Sequence, residues 1–222
     1  MTYTQNREQR TMPLSKLSFD ELNRPEYEEY FSKVRVSDEE KQKRVEAALQ
    51  IEEAALLGFS TVQYDYQINK MISWLSLQKA LHESFRKVAK QYVDDDFMEN
   101  HVRNTALNIA LTTYQNLQNN YSEDSYWLSD DRAVNIAKTE SSVILDRTEY
   151  AEAKRKGYRY KRWDTVMDGK ERETHGEVNG QIVLIDEPFE VGGCLMMHPC
   201  DDSMGAGADE VANCRCSSTY LK

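Results

Sequence analysis

Glycine and proline are distributed unevenly along the chain, and this limits the folds open to it. Between Ser37 and Lys156 there is one glycine, Gly58, and no proline, whereas eight glycines and two prolines occur from Gly157 onward. Glycine and proline interrupt helices and form turns, so a long segment without them predicts helices and a segment rich in them predicts strands. The sequence therefore predicts the α+β class: a mainly helical N-terminal region followed by a small C-terminal α+β domain with short antiparallel strands.

The same change in composition divides the chain into three predicted segments. These are an extended N-terminal arm (1–36), a helical region (37–128) and a C-terminal domain (129–222). Pro13 and Pro25 favour an extended arm, in which Tyr27–Phe31 is expected to form a short turn. Terminal arms of this composition are often ordered only by a partner.

Apolar residues recur at helical spacing in four stretches. Ser37 lies three residues before Glu40, a capping box that begins the first helix, and Gly58 is expected to end that helix as a C-cap. The other three helices are predicted over Ile68–Tyr92, over Val102–Leu117 and from Ser129 onward. Their apolar stripes, including Ile68, Met71, Ile72 and Leu75, are expected to lie in the core.

After Gly157 the pattern changes to a period of two. Alternation over Tyr158–Thr165 predicts a strand, and Asp168-Gly169 and Asn179-Gly180 are turn dipeptides. Two further strands are predicted over Gln181–Ile185 and Val211–Ser217.

The charge balance argues against one class of function. The chain has 28 basic and 38 acidic residues, a formal net charge of −10. Because phosphate affinity comes from Lys and Arg, this charge disfavours a general nucleic-acid coat. There is no run of eighteen apolar residues, and Met1–Leu17 is polar throughout, so we expect a soluble cytoplasmic product with neither a membrane span nor a secretory signal.

All four cysteines fall in the last thirty residues: Cys194, Cys200, Cys214 and Cys216. A reducing compartment disfavours disulfides, so such a cluster is interpreted as a metal site or as a small buried apolar patch. In an extended segment Cys214 and Cys216 point to the same face and can share one zinc ion. His175 and one of Cys200, His198 or Cys194 then complete the ligand set.

His175 also allows a catalytic interpretation, as a general base beside Asp168 or Glu171. The alternative is a hydrogen-bonding structural histidine. The sequence shows no nucleophile elbow, no phosphate-binding glycine loop and no His-Glu-x-x-His helix, and no small-molecule substrate is indicated.

Six cations lie within nine residues around the end of the fourth predicted helix. They are Lys154, Arg155, Lys156, Arg159, Lys161 and Arg162. Such residues complement the helix dipole, or they contact DNA or an acidic protein surface. The net charge favours the dipole role or a protein partner.

Several short motifs over about residues 132–218 resemble, in their order and spacing, the motifs of a known protein family. They are Asn135-Ile136-Ala137-Lys138-Thr139-Glu140, Lys161-Arg162-Trp163, Asp168…Arg172…His175, Asn179-Gly180-Gln181, Glu187-Pro188-Phe189, Gly192-Gly193…Leu195-Met196, Pro199 with Asp201, and the closing Glu210-Val211-Ala212-Asn213-Cys214-Arg215-Cys216. Together they resemble the phage minor head protein family, the phage Mu F-like head morphogenesis proteins. The resemblance implies structural roles for Thr139, Glu140, Trp163, Asp168, Arg172, Gly180, Asp201, Asn213 and Arg215.

The resemblance also implies a function. Members are made in the host cytoplasm and enter the procapsid near the portal, so it implies a virion protein of head morphogenesis, with residues 37–128 as the assembly and portal-docking part. The implied partners are portal protein, major capsid protein and, in some phages, DNA during packaging or delivery. The alternative is a metal-dependent enzyme, a nuclease or a toxin-type transferase, using His175, Asp168 and the cysteine-rich C-terminus.

Two departures from the family pattern bear on the metal site. Some members carry Cys near the position of His175, a substitution expected of zinc ligands, which strengthens the prediction for His175, Cys214 and Cys216. Cys200 stands where Gly or His is common, so it is a candidate fourth ligand peculiar to this chain.

Overall fold

The computed structural model describes residues 25–222; most of the predicted arm, residues 1–24, lies outside the described residues. The α+β class is confirmed. Within 25–222 the first half contains four α-helices, followed by a 3₁₀ turn (Tyr126–Leu128) and a fifth α-helix: α1 (Pro25–Ser32), α2 (Asp38–Asn69), α3 (Trp74–Ala89), α4 (Asp96–Leu117) and α5 (Asp130–Arg155). No helix in this part of the chain is long and apolar enough to cross a membrane.

Residues 25–32, which the sequence assigns to the extended arm, form helix α1 instead. Tyr27 and Phe31, one turn apart, are both fully buried in the core. Pro25 is the first residue of the helix, a position where its missing N–H costs nothing. The prediction of an extended conformation is therefore wrong for this part of the arm.

Helix α2 begins as predicted but ends eleven residues later than predicted. The Ser37 hydroxyl accepts a hydrogen bond from the Glu40 amide at 3.2 Å, and the Glu40 carboxylate accepts one from the Ser37 amide at 2.9 Å. Gly58 does not end the helix. A Cβ at this position would lie 2.8 Å from Cδ2 of Leu81, so the glycine lets α3 pack closely against α2.

The predicted helix over Ile68–Tyr92 is interrupted near its start. Lys70 adopts the left-handed conformation (φ 53°) and ends α2, and Ser73 caps the new helix α3 through the Ser76 amide. Ile68, Met71 and Leu75 are 63%, 69% and 59% exposed, so the prediction that they are core residues is wrong.

The C-terminal half contains short strands and two short helices, in the order β1 (Tyr160–Asp164), α6 (Glu173–Glu177), β2 (Ile182–Leu184), β3 (Phe189–Val191), β4 (Cys194–Met196), α7 (Ala208–Val211) and β5 (Ser217–Leu221). Strand β1 lies between β2 and β5 in an antiparallel sheet, with Arg162 opposite both Ile182 and Thr219. Strands β3 and β4 form a separate antiparallel pair. The last strand begins at Ser217, after the cysteine pair, rather than at Val211 as predicted, because residues 208–211 form α7.

Helix α5 lies at the centre of the packing. It contacts α2 along its length and also contacts β5. One hydrophobic cluster extends from Tyr27 through α2 and α5 to Trp163 and Cys216, so the predicted boundary at residue 129 does not separate two cores. Arg44 of α2 is buried against α5, with Nη2 2.9 Å from Oδ1 of Asp146 and 2.7 Å from Oε1 of Glu149.

We expect Arg44→Met to lower the free energy of unfolding by about 3–5 kcal/mol, because Asp146 is then left buried without its counter-ion. Urea unfolding followed by circular dichroism measures the loss. Lys43→Met is the matched control, since Lys43 pairs with Glu39 at the surface and its removal should change stability little. Equal losses in the two variants would contradict the role given to the buried pair.

Candidate functional site: a buried His–Cys–Cys cluster

His175 lies on the short helix α6, and Cys214 and Cys216 lie in the loop before β5. Their side chains meet in the core, where Nδ1 of His175 is 3.6 Å from Sγ of Cys214 and 3.3 Å from Sγ of Cys216. Among the described residues these three form a group whose ligand atoms all lie within 4.8 Å of one another, and all three are buried. The structure thus brings together three of the four residues that the sequence analysis selected.

The other ring nitrogen contacts a carboxylate that the sequence indicated only as part of the closing motif and not as a site residue. Nε2 of His175 is 2.9 Å from Oε2 of Glu210, on α7, and the same oxygen accepts a hydrogen bond from Thr174 at 3.0 Å. Gly192 has φ 57°, and a Cβ there would overlap the Glu210 carboxylate. The glycine therefore makes the space in which Glu210 reaches the histidine.

Cys200, the predicted fourth ligand, lies outside this group. It is buried in the left-handed conformation (φ 63°), and its thiol donates to the carbonyl oxygen of Cys214 at 3.9 Å. The two other candidates also lie elsewhere: Cys194 is half-buried on β4, and Nδ1 of His198 is 3.0 Å from the carbonyl oxygen of Pro199.

The thiols are unequal in acidity. Side-chain interactions with Cys200, Cys216 and His175 hold the pKa of Cys214 well below its usual range, despite burial. The pKa values of Cys200 and Cys216 are raised, because hydrogen bonding to Cys214 and burial both favour their neutral forms.

A cavity of ≈ 30 Å³ adjoins the cluster, and all three of its residues line it. Lys170, Glu171 and Arg172 form part of its outer wall. A cavity of this size holds about two water molecules. It has no room for a nucleotide or a dinucleotide.

The predicted basic cluster does not form one exposed face. Lys161 is fully buried, donates to the carbonyl oxygen of Met197 at 2.6 Å and lies over the Tyr150 and Phe189 rings. Burial lowers the pKa of Lys161 to about 8. Three others are held in ion pairs: Lys154 with Asp186, Lys156 with Glu152 and Arg162 with Asp164. Arg155 and Arg159 are exposed.

Comparison with known protein families identifies the chain. The family described as phage Mu protein F like protein matches residues 83–219, more than half of the chain. The chain belongs to this family. The match begins inside α3, well before the motifs on which the resemblance rested, so the family unit includes α4 and all of α5.

One curated relative of this chain is a protein of Enterococcus faecalis (strain ATCC 700802 / V583) named NAD(+)–arginine ADP-ribosyltransferase EFV. It is 32% identical over 108 residues, which are 44% of this chain and 22% of the relative. The chain thus spans about a fifth of the length of that relative. No solved structure matches the chain.

The family-motif residues nearest the cluster hold the loops around it. Asp168 accepts two hydrogen bonds from Arg215, both at 2.8 Å, and a third from Lys33 at 2.9 Å. The hydrogen bonds from Arg215 and Lys33 hold the pKa of Asp168 well below its usual range. Arg172 donates to the carbonyl oxygen of Ala212. These contacts fix Arg215, the residue between the two cysteines, on the far side of the loop.

Trp163 helps to position His175 through Thr165, and Gly180 binds the backbone of Trp163. Nε1 of Trp163 donates to Thr165 at 3.0 Å, and the Thr165 hydroxyl donates to the carbonyl oxygen of His175 at 2.6 Å. Gly180 has φ 85° in the predicted Asn179-Gly180 turn, which the Gln181 amide closes by donating to the carbonyl oxygen of Val178 at 2.9 Å. The Gly180 amide donates to the carbonyl oxygen of Trp163 at 2.8 Å.

The Thr139-Glu140 motif ties α5 to the C-terminal loops. Thr139 accepts a hydrogen bond from the amide of Asn213 at 3.1 Å, and Glu140 contacts Nε2 of His101 at 2.7 Å. Nδ1 of His101 is 3.1 Å from Asp202. The neighbouring Asp201 is buried and accepts hydrogen bonds from the amides of Met197 and Ser203. His101 was not predicted, because its two carboxylate partners are distant in sequence.

We expect Gly192→Ala to lower the free energy of unfolding by about 1–3 kcal/mol more than Gly193→Ala, because only the first displaces a buried hydrogen-bonded carboxylate. Both glycines have positive φ (57° and 79°), so both variants carry the same backbone strain, and a Cβ at Gly193 meets nothing within 4 Å. Urea unfolding compares them. Equal losses would show that the space beside Glu210 is not required.

The pair of carboxylates around His101 predicts a pH dependence. Burial alone lowers the pKa of His101, but Glu140 and Asp202 outweigh it and raise the pKa to about 10. The unfolded histidine has a pKa of about 6.5, so the stabilisation is complete below that pH and is lost as the pH rises towards 10.

We expect the difference in unfolding free energy between the unmodified chain and His101→Gln to fall over this range by up to about 1.4 kcal/mol per pH unit. Urea unfolding of both proteins at several pH values gives this difference. Because Lys161 is present in both proteins, its titration contributes equally to the two free energies and cancels. Parallel pH profiles would contradict the assignment.

Proposed function

We propose that this chain is a minor head protein of a phage or prophage, a structural component of the virion that acts in head morphogenesis at or near the portal. Its membership of the phage Mu protein F like family carries the proposal. During assembly it is in the host cytoplasm. Its work is contact with other head proteins rather than catalysis.

The helices offer a surface suited to such contact. Five exposed apolar side chains follow the end of α2 and the start of α3, and we call them the apolar stripe: Leu57, Tyr64, Ile68, Met71 and Leu75. Successive members from Tyr64 onward are three or four residues apart, and Leu57 lies seven residues before Tyr64. Leu57, Tyr64 and Ile68 are seven and four residues apart on α2, which is the spacing of one helix face, whereas Met71 lies in the turn after α2 and Leu75 lies at the start of α3.

We propose portal protein as the occupant of the apolar stripe, with the major capsid protein as the alternative head partner. Scattered exposed apolar residues are ordinary, but large ones that follow one another along α2, through the turn after it and into α3 cost solubility and mark a protein contact. The stripe lies before residue 83, outside the part of the chain that the family model matches, as expected of a surface specific to one assembly.

A protein partner is favoured over DNA by the charges. The chain carries a net charge of −10, Lys161 is buried and three of its five companions in the basic cluster are neutralised by carboxylates. Two exposed arginines neutralise few phosphates, so direct duplex binding by this cluster is weak.

A second candidate, an enzyme of the transferase or nuclease type, has one observation in its favour, the name of the Enterococcus faecalis relative. The match covers about a fifth of that protein. In this chain the cavity at His175 is ≈ 30 Å³, whereas small-molecule sites are typically several hundred Å³. We therefore propose the structural role.

We expect the chain to co-purify with the portal protein of the same phage or prophage, and Tyr64→Glu with Ile68→Glu to abolish the association, because charge is placed in an apolar contact. Both side chains are more than 60% exposed, so the double variant should keep its unfolding midpoint. Ile182→Glu, an equivalent change at an exposed residue of β2, is the matched control and should bind normally.

Three results would contradict this assignment. Binding of portal protein that survives the double variant excludes the apolar stripe as the binding surface. Association of the chain with itself through these residues makes a second copy of the chain the occupant. Normal procapsids from a phage that lacks the gene would remove the role in head morphogenesis.

A further inference from the structure

We propose that His175, Cys214 and Cys216 bind one zinc ion, with water from the adjoining cavity as the fourth ligand and Cys200 outside the coordination sphere. The ion joins α6 to the loop before β5. The inference is independent of the partner proposed for the apolar stripe.

The distances between the ligand atoms fit a tetrahedral zinc site. Bond lengths of about 2.0–2.1 Å to nitrogen and 2.3 Å to sulfur give a nitrogen-to-sulfur edge of about 3.6 Å in a tetrahedron. The two edges at Nδ1 of His175 measure 3.6 Å to Cys214 and 3.3 Å to Cys216. Both nitrogen-to-sulfur edges therefore fit this tetrahedron to within about 0.3 Å, and the two sulfurs lie within 4.8 Å of each other.

The histidine is held as zinc-binding histidines are held. A ligating imidazole usually donates its second N–H to a carboxylate, which fixes the tautomer and turns the other nitrogen towards the metal. Nε2 of His175 faces Glu210 at 2.9 Å, so Nδ1 presents its lone pair to the two sulfurs. Thr174 and the space at Gly192 hold Glu210 in this position.

Charge explains both the choice of metal and the number of thiolates. Thiolate and imidazole ligands select zinc over magnesium or calcium, which prefer oxygen. On binding, the thiols of Cys214 and Cys216 lose their protons to solvent, and two thiolates with one divalent ion sum to zero. A neutral unit is the least costly to bury. A third thiolate from Cys200 would leave a buried negative charge.

The cavity determines the fourth position. It is lined by all three ligands, and Cys200 is not among its lining residues. At ≈ 30 Å³ it admits water, and Lys170, Glu171 and Arg172 also line it. The ion thus joins the C-terminal loops and keeps one coordination position open to water.

The test is zinc titration of the full chain, stripped of metal by a chelator and kept reduced. We expect one equivalent to bind in competition with a chromogenic chelator, and the thermal midpoint to rise with free zinc. Cys214→Ser and Cys216→Ser should bind at least 100-fold more weakly, while Cys200→Ser, the matched buried control, and Cys194→Ser should keep one equivalent.

Cobalt supplies a measurement that needs no variant. The thiolate-to-cobalt charge-transfer band of the unmodified chain should have the intensity of two thiolates, and Cys200→Ser should leave it unchanged. A band of three thiolates, or loss of zinc from Cys200→Ser, would overturn the arrangement with water. Failure of the reduced, folded chain to bind a stoichiometric zinc or cobalt ion would overturn the site.

Discussion

The buried ion pair between Arg44 and the carboxylates of Asp146 and Glu149 is the interaction on which the arrangement of the helices depends. Arg44 and Asp146 are each about 1% exposed, so neither charge can remain where it is without the other. Apolar packing between α2 and α5 tolerates sliding, because its energy depends on area rather than direction. The ion pair does not, since it fixes one register between the two helices.

Helix α5 connects the helices aligned in this way to the C-terminal half of the chain. Nearly two turns before Asp146 it presents Thr139 and Glu140, which hold Asn213 and, through His101, Asp202. The loop that contains Cys214 and Cys216 is therefore positioned from α5, and the short strands add little area of their own. This dependence explains why the family match begins inside α3 rather than at the first strand: the C-terminal half has no separate hydrophobic core of comparable size.

Local signals in the sequence predicted the elements they control. The Ser37 capping box, the Ser129 cap and the Asn179-Gly180 turn act within a few residues, and each is found in the structure. The errors lie where distant packing decides. A glycine is typical of a helix end, but at Gly58 the missing Cβ makes room for the close contact with Leu81. The apolar spacing of Ile68, Met71 and Leu75 is the same for a core face and for a surface that another protein covers, so periodicity alone could not place them outside.

The candidate site was predicted in part, and the missing part has a physical reason. His175, Cys214 and Cys216 were selected because their side chains bind metals, and the structure brings them together although the cysteine pair lies in a loop rather than a strand. Glu210 was missed, because the role of a supporting carboxylate depends on which ring nitrogen it faces, and sequence carries no such information. Position separates Cys200 from its neighbours in the same way: its thiol faces the carbonyl oxygen of Cys214 at 3.9 Å and lies outside the group formed by His175, Cys214 and Cys216, and the sequence gives no sign of that direction.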